Sequence, residues 1–317
     1  MKAIQFFAIT ALGAALFASC SNQEELATGS YPSDNLIRVT AGVNNDMTRS
    51  DEAVTPTSLT QNFSLTVVNN NNANFSYANE IFSLNGTEWS CGKNLLWQNL
   101  ATSVEIVALY PAKDANTFSG VYSKENKSYG TITYSVNSDQ SKADDANNDL
   151  LLYHNANFVP EKDLENGKLN IEFNHAFCRV DIEVIIGSEF NATDGLAANP
   201  IQRIRVEGTK TTAEIGFTST APFFTVTPSE SGEATSIIPT QGDFTPAANA
   251  TDQAVARYSC IVIPQTATLK VLLHTSDREF EWTGKQMELV SGKQYTLQLN
   301  MTNKSATARK FILRERK

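Results

Sequence analysis

Apolar and polar residues alternate with a period of two along most of the chain, the signature of half-buried β-strands. Ile37, Val39, Ala41 and Val43 share one face of a strand, and Phe63, Leu65 and Val67 share one face of the next. Residues 104–110 (Val-Glu-Ile-Val-Ala-Leu-Tyr) predict a strand buried on both faces and stopped by Pro111. Ile132, Tyr134 and Val136 alternate with Thr131, Thr133 and Ser135. The same rhythm returns at Ala213/Ile215/Phe217, Leu269/Val271/Leu273, Phe280/Trp282 and Tyr295/Leu297/Leu299/Met301. Asn, Gly, Ser, Asp and Pro fill the gaps, as turns require. No stretch of a dozen residues carries a 3.6-residue stripe, so a long amphipathic helix is not expected. Short strands with polar turns predict an all-β architecture of sandwiches or barrels.

One break in the rhythm is informative. Leu169, Ile171 and Phe173 are apolar at odd positions, and Ala176, Cys178, Val180, Ile182, Val184 and Ile186 at even ones. A strand cannot change parity without an extra residue or a bend. Asn174–His175 is therefore expected to bend and to lead into a second unit, with the charged stretch 160–168, containing Asn166-Gly167, as the linker. The expected division is residues 36–165 and 166–317, two antiparallel β-sandwich domains. The size agrees, since 317 residues suit two domains or one large one.

The first residues read as an address. A mostly apolar run, 4–17, follows Lys2; it is too short to span a bilayer, so 1–19 reads as a signal peptide. It ends at Ser19-Cys20, and small residues before a cysteine resemble the lipobox of bacterial lipoproteins. In that class the signal is cut before the cysteine, here between Ser19 and Cys20. Cys20 then carries the acyl chains that anchor the protein to outer-membrane lipid. Glu24 and Glu25 just beyond resemble a surface-export signal, and 20–35 has the composition of a tether.

Composition narrows the chemistry. The formal charge is −9, from 25 Lys+Arg against 34 Asp+Glu, which disfavours nucleic acid as a partner. The cysteines show no CxxC spacing; after Cys20, the remaining Cys91, Cys178 and Cys260 read as buried free thiols. His154, His175 and His274 have no ligand-like spacing. Asp145-x-Asn147-x-Asp149 mimics the start of a calcium loop, but Leu150 and Ala156 stand where that loop needs Gly and Glu. No nucleophile motif or phosphate loop occurs. An enzyme, a cofactor and a metal are all unexpected. Trp89, Trp97 and Trp282 could stack on sugars, although Trp282 alternates with Phe280 and reads better as core.

Several segments in order resemble the fimbrillin-like subunits of Bacteroidales-type pili. They are 149–153 (Asp-Leu-Leu-Leu-Tyr), 173–180 (Phe-Asn-His-Ala-Phe-Cys-Arg-Val), 258–265 (Tyr-Ser-Cys-Ile-Val-Ile-Pro-Gln) and 291–297 (Ser-Gly-Lys-Gln-Tyr-Thr-Leu), with the lipobox and the 37–49 region. The resemblance implies two transthyretin-like domains and export as an outer-membrane lipoprotein. It further implies cleavage by an Arg-specific protease, assembly with other pilus subunits into a head-to-tail fimbria, and a role in adhesion. It assigns the cleavage to Arg49–Ser50, in the polar stretch just after the first strand; Arg38 is the rival but lies inside the strand pattern. The strand within 36–49, with Ile37, Val39, Ala41 and Val43, would then leave, at a loss on the order of 5–10 kcal/mol of burial. A neighbour's strand would fill the gap. In the family the donor comes from the C-terminal region, where Phe311, Ile312 and Leu313 are the apolar candidates in a basic tail that otherwise reads as solvated. So weak a donor would suit a tip or accessory subunit. The competing reading is a permanently lipidated surface protein, either an anchor or a binder of glycans or host proteins.

Overall fold

The computed structural model describes residues 31–44, 59–112, 122–123, 128–129, 131–142, 149–217 and 224–315. Strands dominate it, and the all-β expectation holds. The first seven-stranded sheet closes on itself. It contains β1 (Val39–Val43), β2 (Phe63–Val68), β3 (Tyr77–Asn85), β4 (Glu88–Cys91) and β5 (Val104–Tyr110). Beyond a two-residue hairpin, β6 (Tyr122–Ser123) and β7 (Ser128–Tyr129), and the short β8 (Ile132–Ser135), it is completed by β9 (Leu151–Phe158) and β10 (Leu169–His175). Round the barrel the order is β1-β10-β9-β5-β2-β3-β4. Phe63 fills its centre, packed on Phe82, Trp89 and Phe173.

The remaining strands are β11 (Cys178–Ile186), β12 (Arg203–Glu207), β13 (Thr212–Phe217), β14 (Phe224–Pro228) and β15 (Thr240–Thr245). They continue as β16 (Ala254–Val262), β17 (Gln265–His274), β18 (Glu279–Leu289), β19 (Lys293–Met301) and β20 (Ala306–Glu315). They form a five-stranded sheet, β15-β16-β11-β19-β20, and a three-stranded sheet, β12-β17-β18. A second three-stranded sheet, β14-β13-β8, borrows β8 from the earlier part of the chain. Inward residues of these sheets meet in one core, among them Val180, Ile182, Val206, Ile215, Val271 and Leu297.

The alternation in β5 shows how the two cores adjoin. Ile106, Ala108 and Tyr110 point into the barrel, whereas Val107 and Leu109 belong to the second core. That is why the sequence lacks a polar face there.

The sheets divide the chain differently from the expected 165/166 boundary. The stretch 160–168 does not link two bodies. It is a short helix, α1 (Pro160–Asp163), and a tight turn that returns the chain into the same barrel. Asn166 and Gly167 both have positive φ, 50° and 75°, and Glu165 and Lys168 exchange backbone bonds of 2.9 Å. This is the Asn-Gly geometry of a hairpin turn, a local signal that outweighs the charge of the segment. The change of sheet comes at Ala176–Phe177, just beyond the expected bend at Asn174–His175. Both residues are fully buried, and the inward parity of β11 starts at Cys178.

Candidate strand-exchange site

β1 closes the barrel by lying between β10 and β4. It runs parallel to β10 in the register Val39↔Leu169 to Val43↔Phe173 and meets β4 at Val39↔Trp89. The seam continues upstream of the strand. Trp97 N donates to Asn35 O (2.8 Å), Ile37 N to Leu95 O (2.9 Å) and Leu169 N to Arg38 O (2.8 Å). Downstream, Asn44 N donates to Phe173 O (2.7 Å). Two side-chain bonds join the strands on the outer face, Thr40 Oγ1 to Asn170 Oδ1 at 3.1 Å and Asn44 Nδ2 to Asn174 Oδ1 at 3.2 Å.

The four apolar residues of this segment do not contribute equally. Ile37 and Val39 are buried, at 8% and 4% exposure, whereas Ala41 and Val43 are half-buried against the same core. Burial is thus concentrated where the chain enters the sheet. Two large aliphatics at about 1.5–3 kcal/mol each give about 3–6 kcal/mol, mostly below the range of about 5–10 kcal/mol expected from the sequence. That is still comparable with the whole stability of many domains.

The decisive geometry is on the other side of β10. β9 pairs with β10 only at Leu152↔Asn174 and Leu151↔His175, and then the two strands diverge around α1. Along Leu169–Phe173, β10 therefore has, among the described residues, a ladder partner in β1 alone. This dependence is not legible in the sequence, because a parallel pairing between residues so far apart leaves no local mark.

Arg38 is held twice. Its carbonyl is in the seam, and its guanidinium forms a two-pronged ion pair with Asp34, with Nη1–Oδ1 at 2.9 Å and Nη2–Oδ2 at 2.5 Å. The Arg38 guanidinium, then the Leu36 amide, hold the Asp34 carboxyl down at about 2. Ser19, Cys20, Arg49 and Ser50 lie outside the described residues, as do Asp145 and Asn147.

At the other end of the chain, Phe311, Ile312 and Leu313 do not lie in a solvated tail. They fall in β20, which pairs antiparallel with β19 at the edge of the five-stranded sheet. Leu313 is 57% exposed. A bulge at Arg309 breaks the period of two within β20, and the strand was not read from the sequence.

The other candidates resolve into structure. His175 is buried, with Nδ1 2.8 Å from Asp149 Oδ2, and His154 Nε2 lies 2.6 Å from Glu105 Oε1. These pairs tie the end of β10, and β9 to β5. No group of three metal-ligating side chains occurs among the described residues. Cys178 and Cys260 are buried free thiols; burial pushes the Cys260 thiol up. Cys91 is only half-buried. Trp97 is 2% exposed and stacked on Phe158, and Trp89 packs edge-on against Phe63. Trp282 lies across Gly284, where an added Cβ would come within 2.8 Å of the indole. None of the three forms an exposed platform.

A family profile described as fimbrillin-like matches residues 37–311. The chain belongs to the fimbrillin-like family. Its fold is shared with a protein of Bacteroides uniformis named for cell adhesion, at 14% identity and a TM-score of 0.59, covering 89% of this chain and 99% of that one. A second protein named for cell adhesion, from Bacteroides ovatus, gives 15% identity and 0.59 over 91% and 99%. A fimbrial protein of Bacteroides vulgatus gives 14% and 0.51 over 88% and 99%. No curated protein matches the sequence. The match begins at Ile37, so it takes in the whole of β1 of this fimbrillin-like chain.

Proposed function

We propose that this chain is a structural, non-enzymatic subunit of a cell-surface fimbria serving adhesion, exported as a lipoprotein on Cys20 and activated by loss of its first strand. In this reading an Arg-specific protease cuts between Arg49 and Ser50. The segment carrying Ile37, Val39, Ala41 and Val43 leaves, and a strand from a neighbouring subunit takes its place. Family membership supports the setting.

One observation carries the mechanism: among the described residues, β10 has no ladder partner other than β1 along Leu169–Phe173. Once β1 goes, its side chains leave an apolar slot, and a strand of the barrel wall has unpaired backbone on both edges. Unpaired edges recruit strands, and an incoming strand restores burial and ladder together. Because slot and donor are different surfaces, such contacts run head to tail and do not close into rings.

N-terminal sequencing of protein sheared from the cell surface tests the reading. A start at Ser50 is expected. An acylated Cys20 on the bulk of the material would replace it with a permanently anchored subunit or binder.

A further inference from the structure

A cleft of about 750 Å³ opens where the end of the barrel meets the second core, between Asn174 and His175 of β10, the strand β14 and the turn from β18 to β19. We propose that this cleft binds a neutral saccharide, with Nε2 of His175 accepting a hydrogen bond from one of its hydroxyls. The proposal rests on the adhesive role read above and gives it a ligand class, but it asks nothing of strand exchange.

The first observation is an orphaned acceptor. His175 lines the cleft, and its side chain is 5% exposed. Its Nδ1 lies 2.8 Å from Asp149 Oδ2, and Asp149 is not among the lining residues. A carboxylate only accepts, so Nδ1 carries the ring hydrogen and Nε2 presents a lone pair. With the Nδ1 edge held by Asp149, the Nε2 edge is left for the cleft. That nitrogen is buried and has no hydrogen-bond partner. A buried acceptor without a donor is unfavourable, and a hydroxyl from a ligand removes the penalty. The second observation is the wall. Phe224, Val226, Pro264 and Val290 give it apolar surface, and Thr225, Thr266 and Ser291 set hydroxyls among them. Of the described lining residues, Glu288 alone is acidic and none is Lys or Arg. Such a wall disfavours anionic ligands. It suits a ring with an apolar face and hydroxyls that both donate and accept, which is the chemistry of a pyranose. The volume is in the range of small-ligand sites.

The test is saturation-transfer NMR on the intact, unnicked chain. The probes are the methyl glycosides of glucose, galactose, fucose and N-acetylglucosamine, with the methyl glycoside of sialic acid as the anionic control. Transfer to at least one neutral glycoside, and none to the sialoside, is expected. His175→Phe keeps a ring and removes the acceptor, and should weaken that glycoside about tenfold, the worth of one hydrogen bond. His175 is buried, so a second variant guards against misfolding. Val290 is 39% exposed at the cleft, and Val290→Arg should weaken the same glycoside at least as much with the thermal midpoint unchanged. No transfer to any neutral glycoside would overturn the proposal and leave water as the donor to Nε2. Transfer undiminished in Val290→Arg would overturn it too, by putting the sugar elsewhere, as would a preference for the sialoside. Binding lost in Val290→Arg but unchanged in His175→Phe would overturn the role given to Nε2. Because the protein is never nicked, failure here leaves the processing at Arg49 and the strand exchange standing.

Discussion

Among the described residues, each half of the molecule contains one parallel strand pair, and the two are built very differently. β1 and β10 meet over five residues at a seam, where β1 touches β4 at one position and β10 touches β9 at two. β11 and β19 meet from Arg179↔Gln294 to Ile186↔Met301 in the middle of a sheet. There β11 is also paired along its whole length with β16, and β19 with β20. The pairing mode is the same; the redundancy is not. Losing one neighbour leaves β11 with a full ladder, but it leaves β10 with almost none. A fold that must give up a strand can confine the damage by placing that strand where a single partner depends on it.

The sharpest way to break this comparison is to remove β1 and watch both pairs. After nicking at Arg49 and washing out the released segment, the amides of Leu169, Ile171 and Phe173, which face β1, should exchange about 10²–10⁴-fold faster, the equivalent of about 3–6 kcal/mol. The amides of Cys178–Ile186 should not change. Equal acceleration in both would mean that the whole molecule loosens, and the seam would have no special status. Next in size is Leu297→Ala, in the fully buried centre of the second core. It should lower global stability by about 2–5 kcal/mol in urea unfolding. Val39→Ala at the seam should cost about 1–2 kcal/mol, from two lost methylenes, and should act mainly on exchange at β10. A Val39→Ala penalty as large as that of Leu297→Ala would erase the distinction.

The contrast also explains what the sequence disclosed. Alternation marked β1, β2, β8, β10, β11, β13, β17 and β19, and the apolar run of β5, because each residue's burial follows from the face it occupies; β3, β9 and β16 were not read from it. The parity change at 174–176 was visible for the same reason. Partnerships were not visible: nothing in 160–168 showed that Asn166-Gly167 turns the chain back into the barrel rather than onward. The dependence of β10 on β1 arises from the divergence of β9, a tertiary event without a local signature. β20 was obscured by its own bulge, which broke the period that would have revealed it. The four apolar positions of residues 37–43 were legible as a set, but their unequal burial came only with the closed barrel.

The smallest expected effect concerns which arginine an added Arg-specific protease reads. Arg38 and Arg49 are eleven positions apart, and only Arg38 lies among the described residues. Its guanidinium is clamped by Asp34 at 2.9 and 2.5 Å, and its carbonyl accepts from Leu169 N. A trypsin-like site needs both that guanidinium and an extended backbone, so Arg38 is withheld on two counts. Asp34→Asn removes only the first. Cleavage at Arg38, read by mass spectrometry of the released peptides, should rise a few-fold while Arg49 remains the main site. The pH dependence has a definite sign. Asp34 is held below its ordinary value, so the clamp is complete above about pH 4 and is lost only as the pH falls toward about 2. Across mildly acidic and neutral pH the ratio of the two cuts should therefore stay flat. If Arg38 became the preferred site in Asp34→Asn, the ladder to β10 would be contributing little protection, and the seam would be looser in solution than its hydrogen bonds describe.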